Sequence, residues 1–198
     1  VYTEGLVTLT ASYTTDSQTV PAPTASPATR ANAEGFFDGS ALFLPPEADA
    51  GSFTLEIGFD LPDGRTGTAV FPLDVEESMW MQRVERPDGT LFVSWVAPAR
   101  PVVGQNPFEV DIHRLTDLGY LPVPSESLDL YPYMDMGGGE GHSTPYEAPV
   151  ALGQGRYRGT VDFIMSGGWD MTVYLDRGAT GRDAALFENY TVLQEVNQ

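Results

Sequence analysis

The chain has 198 residues, with 28 Asp and Glu against 10 basic residues, all of them arginine, for a formal net charge of -18. Such a charge repels phosphate backbones and anionic bilayers, which argues against nucleic acid and lipid surfaces as partners. With no cysteine, disulfides, thiolate zinc sites and cysteine nucleophiles are excluded, while the length suffices for one large or two small domains with real cores.

No apolar run approaches the roughly 20 residues that span a bilayer. Val1-Tyr2-Thr3-Glu4-Gly5 lacks the pattern of a secretory signal and reads as the start of a processed or trimmed protein, which is compatible with prior removal of a signal or lipid anchor. Further along, Leu55, Ile57 and Phe59 alternate with Glu56 and Gly58, the pattern of a half-buried strand. Pro62-Asp63-Gly64 and Pro87-Asp88-Gly89 are turn sequences, as is the Gly153-Gln154-Gly155 cluster. Between the first two, Asp74-Val75-Glu76-Glu77-Ser78 holds neither Gly nor Pro, so a boundary near 75–81 is expected to be an extended strand shared between domains. Met79-Trp80-Met81 is then best explained by packing at the seam.

Phe108, Val110 and Ile112 alternate with Glu109, Asp111 and His113, placing His113 opposite the apolar face. There it reads as a solvated surface histidine, although a His between carboxylates can also bind borderline metals. The next segment, Tyr131-Pro-Tyr-Met-Asp-Met-Gly-Gly-Gly-Glu-Gly-His142, puts two thioethers and one of only two imidazoles into a short loop. Thioether sulfur and neutral imidazole suit Cu(I) far better than Mg²⁺ or Ca²⁺. An extended backbone points Met134 and Met136 to one face, roughly 7 Å apart at Cα. Gly137, Gly138 and Gly139 are free to turn the chain so that His142 returns to that side as a third ligand. The competing reading is a polar loop with a packed Met, since Met fills gaps more often than it ligates.

Trp169, Met171, Val173 and Leu175 alternate with Asp170, Thr172, Tyr174 and Asp176, and only Asp183-Ala184-Ala185-Leu186 has the composition of a helical turn. The pattern predicts an all-β protein of antiparallel sheets, with two β-sandwich domains in tandem over residues 1–76 and 80–196. An internal repeat supports the division. Gly35–Leu44 aligns without gaps on Gly155–Ile164, keeping both glycines, the aromatic at the third position and the Phe at the ninth, Phe43 and Phe163. Phe53-Thr-Leu-Glu-Ile57 then matches Trp169-Asp-Met-Thr-Val173, so Phe53 and Trp169 are expected inward. Ser26-Pro27 stands near the place of Thr144-Pro145, and Val20-Pro21-Ala22-Pro23 stands where the second copy has its Met and His residues. The first domain is therefore read as a degenerate copy without the soft ligands.

Leu91-Phe-Val-Ser-Trp-Val96 and Pro101–Arg114 resemble the opening of the YtkA-like domain, which is related to FixH. The Met134-Asp-Met-Gly137 to His142-Ser-Thr-Pro145 loop, Gly155-Arg-Tyr-Arg-Gly159 and Phe163-Ile-Met165 through Trp169 continue the likeness over roughly residues 80 to 176. The chain departs from the pattern in its extra glycines and Glu140 between Met136 and His142. The resemblance implies an immunoglobulin-like or cupredoxin-like sandwich, periplasmic or extracellular and often membrane-tethered, associated with copper handling or respiratory oxidase assembly. Carried over by position, it implies Met134, Met136 and His142 as copper ligands, with Met165 as a fourth. Met165 shares a strand face with Val161 and Phe163, which favours core packing for it.

Catalysis finds little support. Two histidines cannot build a three-His zinc site, no Ser/His/Asp order is present, and the Gly137–Gly141 run lacks the Lys and helix of a phosphate cradle. The expected function is a non-catalytic module that holds Cu(I), more readily than Cu(II), for a copper-accepting or membrane-anchored partner. A structural or adhesive sandwich tandem in a surface assembly is the alternative.

Overall fold

The computed structural model describes residues 3–14, 19–25, 29–44, 52–75, 78–116, 119–124, 126–176 and 181–194. Among these residues the chain is all-β and antiparallel in its sheets, with no helix. It divides into two compact units, Val1–Glu77 with Thr116–Leu121, and Ser78–Leu115 with Pro122–Gln198. Glu76 and Glu77, in the expected boundary strand, lie outside the described residues.

In the first unit, strands β1 (Leu6–Thr14), β2 (Thr19–Ala22), β5 (Ser52–Asp60) and β6 (Thr66–Leu73) form a sheet of order β2-β1-β5-β6, and β3 (Thr24–Ala25) pairs with β4 (Ser40–Ala41). Pro62-Asp63-Gly64 makes the β5–β6 turn, closed by Leu61 N–H donating to the Arg65 carbonyl at 2.9 Å. The core holds Ala11, Tyr13, Val20, Ala22, Leu44 and Phe53. Tyr13 and Phe53 pack at 4.8 Å between ring centroids, and Phe43 meets Phe53 edge-on at 5.4 Å.

The second unit opens with β7 (Met81–Val84), β8 (Leu91–Ala97) and β9 (Gly104–Thr116); the short β10 (Gly119–Pro122), next in the chain, belongs to the first unit as far as Leu121. Then come β11 (Ser127–Gly137), β12 (Glu140–Ser143), β13 (Tyr146–Gly153), β14 (Arg156–Phe163), β15 (Gly167–Asp176) and β16 (Arg182–Val192). One sheet runs β13-β14-β9-β8-β7 and the other β12-β11-β15-β16. Their apolar faces meet in one core: Phe108, Val110 and Ile112 on β9 and Trp169, Met171, Val173 and Leu175 on β15 are all 0% exposed. Each such side chain removed from water contributes about 1.5–3 kcal/mol before the entropy of ordering is counted. Trp95 anchors one end, with Phe108, Phe187 and Tyr190 at 4.9, 5.2 and 4.5 Å.

Three expectations are corrected. Asp183–Leu186 is no helical turn but part of β16, where Ala185 pairs with Val173 and Phe187 with Met171, both inward. The period-2 burial of that edge strand overrides the helix preference of Ala-Ala-Leu. His113 is not solvated: it is 5% exposed beside its cross-strand partner Phe92, because the second face of β8 and β9 is covered as well. Met79 and Trp80 precede β7 in a turn instead of continuing a strand; Met79 is 54% exposed, while Trp80 packs edge-on to Tyr190 at 5.3 Å and Met81 is buried, so packing accounts for Trp80 and Met81 and not for Met79.

Phe53 and Trp169 are both buried, each with an aromatic neighbour at 5.4 Å, Phe43 in one unit and Phe163 in the other. The segment before them differs, since Gly35–Leu44 carries only the two-residue β4 where Gly155–Ile164 carries β14. Accordingly Phe163 is fully buried and Phe43 half-buried. Ser26-Pro27 lies outside the described residues.

Candidate functional site

Strands β11 and β12 form a hairpin at one edge of the second sheet, and the soft side chains gather there. Leu128, Leu130, Pro132 and Met134 of β11 alternate inward, Met134 being 6% exposed. Met134 and His142 are direct cross-strand partners, so their side chains leave the ladder on the same side. The Met134 methyl lies against Gly167, where an added Cβ would come within 3.1 Å of it, so a larger residue there would displace the thioether.

His142 is fixed at both nitrogens. Its Nδ1 lies 3.1 Å from the Ser143 carbonyl, an acceptor stronger than a thioether, which favours the neutral tautomer with the proton on Nδ1 and the lone pair on Nε2. That Nε2 faces Met165 Sδ at 3.3 Å. The ring also meets the Trp169 indole edge-on, at 5.4 Å between centroids. Trp169 donates its N–H to the Met165 carbonyl at 3.2 Å, which ties the backbone of Met165 to the buried wall. With the proton on Nδ1 two electron-pair donors face each other and a cation shared between N and S would complete the arrangement; with the proton on Nε2 the ring donates to the thioether instead.

Met165 lies beyond the end of β14 and is 37% exposed, so core packing does not account for it. Met136 is set apart. The pairing shifts between Asp135 opposite Gly141 and Gly137 opposite Glu140, which leaves Met136 as the extra residue of a β-bulge. It is 57% exposed, while Gly137 N–H donates to Asp135 Oδ1 at 2.7 Å to hold the bulge. Gly137, Gly138 and Gly139 all take positive φ, of 82°, 69° and 85°, the left-handed region that glycine enters without strain. The structure therefore brings His142 and Met165 together at one rim, with Met134 in the core on the strand paired with His142, and leaves Met136 at the hairpin tip.

Among the described residues, no group of three or more His, Asp or Glu side chains is placed to hold a metal. The donor set at this rim is nitrogen and thioether sulfur, which fits a soft monovalent ion and not Ca²⁺, Mg²⁺ or a carboxylate-rich zinc site. Trp169 was marked only as a core residue by its alternation. Its place against His142 depends on the β12–β11–β15 order, which no local pattern encodes.

One family model, described as YtkA-like, matches residues 89–174. Over that stretch the chain is similar to the YtkA-like family. The match runs from the turn before β8 through most of β15 and includes Met134, Met136, His142 and Met165. Neither the curated proteins nor the solved structures yield a match to this chain.

His113 forms a separate buried group. Its Nδ1 and Ser94 Oγ are enclosed without a hydrogen-bond partner, while Asp111 beside them takes a two-pronged pair from Arg156 at 2.8 Å for each bond. Burial lowers the His113 pKa below 6.5; Asp111 opposes that shift and Arg156 reinforces it.

Proposed function

We propose that the YtkA-like domain is a non-catalytic copper module, holding Cu(I) as cargo at His142 Nε2 and Met165 Sδ, with Met134 as the third donor. The observation that carries this reading is the 3.3 Å approach of the His142 ring nitrogen to the Met165 thioether sulfur on a partly exposed rim. Thioether selects the cuprous over the cupric state, and the net charge of -18 favours approach of a cation. An edge strand with the site at its margin leaves the ion open to a partner, in keeping with hand-over instead of permanent storage. The natural setting of such a module is the periplasm or cell exterior, where a copper-accepting or membrane-anchored protein would receive the ion.

Competition for Cu(I) against bicinchoninate tests the reading. Wild type is expected to withdraw copper from the chelate, and Met165→Leu and His142→Phe each to weaken binding by about 10-fold or more, since one ligand is lost from a small set. Unchanged affinity in both variants would leave the rim as ordinary packing, and the tandem would then be read as a structural module.

A further inference from the structure

Within the copper reading, on which this inference rests, the three methionines of the hairpin and rim are not equivalent. Met134 is enclosed, Met165 faces His142, and Met136 stands 57% exposed on the unpaired residue of a bulge. Three glycines with positive φ follow it, and nothing lies within 4 Å of where a Cβ would stand on any of them. The tip can therefore move without disturbing packed atoms, whereas Met134 cannot.

We propose that Met136 is an exchange ligand: the thioether that meets incoming Cu(I) first and leaves it last, while His142 and Met165 hold the ion. Ligand exchange at Cu(I) proceeds by adding a new donor before an old one departs, and an exposed thioether on the same hairpin as His142 supplies that extra donor without changing the resting set. The glycines that follow Met136 turn the chain at the open end of the hairpin, which sets the capture thioether apart from the holding pair.

Stopped-flow transfer from the Cu(I)–bicinchoninate complex distinguishes the roles. Met136→Leu, a change at a side chain that is 57% exposed, is expected to slow transfer at least about threefold while equilibrium affinity moves less than about twofold. Met165→Leu is expected to reduce affinity itself. If Met136→Leu lowers affinity as far as Met165→Leu does, Met136 is a holding ligand and the inference is overturned. It is equally overturned if rate and affinity are both unchanged. A wild type that takes no copper from the chelate defeats the copper reading itself, an outcome separate from either of these.

Discussion

At the scale of single residues, His113 and His142 show how one residue type takes two roles from its surroundings. His142 is half-exposed with both nitrogens directed, while His113 is 5% exposed and one of its nitrogens has no partner. Because burial depresses the folded-state pKa of His113, the unfolded chain takes up a proton near pH 6.5 that the folded chain refuses. Stability is therefore full above pH 6.5 and falls with pH through the window down to the lower folded pKa, by up to about 1.4 kcal/mol per pH unit. Urea unfolding at pH 7.5 and 5.5 is expected to show this loss in wild type and a smaller one in His113→Leu, which keeps His142. Equal losses would mean that His113 is not the sensitive group. Alternation placed His113 opposite Ile112 but could not show that its face is covered. The clue was in Leu91-Phe-Val-Ser-Trp95 on the neighbouring strand, an almost unbroken apolar run buried on both faces.

At the scale of elements, the β11–β12 hairpin makes the site and a bulge divides it. Strict alternation puts Met134 and Met136 on one face. The Gly-rich tip instead absorbs an extra residue at Met136, and the third sulfur comes from the β14–β15 turn. The metal-like composition was thus legible in the sequence, while the pairing of His142 with Met165 was not, because it requires two turns to meet at one sheet margin. A second device ties β16 in place. The Arg86 guanidinium, 7% exposed in its side chain, reaches Glu126 at 2.8 Å and Asp183, at the start of β16, at 2.6 Å. Arg86→Met removes the guanidinium from two nearly buried carboxylates, and a loss of about 3–5 kcal/mol in unfolding free energy is expected at neutral pH, measured by urea denaturation. A change below about 1 kcal/mol would show that water replaces the guanidinium at little cost.

At the scale of the whole molecule, two compact units each keep their own buried aromatics, around Phe53 in one and Trp169 in the other. Large-to-small changes in such cores cost about 3–5 kcal/mol. Calorimetry is expected to resolve two transitions, Phe53→Ala lowering one and Trp169→Ala the other; if both substitutions shift a single transition, the units unfold as one. The all-β class and antiparallel sheets were legible in the period-2 runs and turn triplets, most clearly from Trp169 to Leu175. Asp183–Leu186 misled because intrinsic preference was read without the neighbouring strand that decides it. The central claim concerns the chemistry at one rim, and X-ray absorption at the copper edge of the Cu(I)-loaded protein tests it most directly. The expected spectrum contains both an imidazole nitrogen near about 2.0 Å and sulfur near about 2.3 Å, with sulfur reduced in Met165→Leu. A shell of nitrogen and oxygen alone, or one unaltered in Met165→Leu, would contradict it.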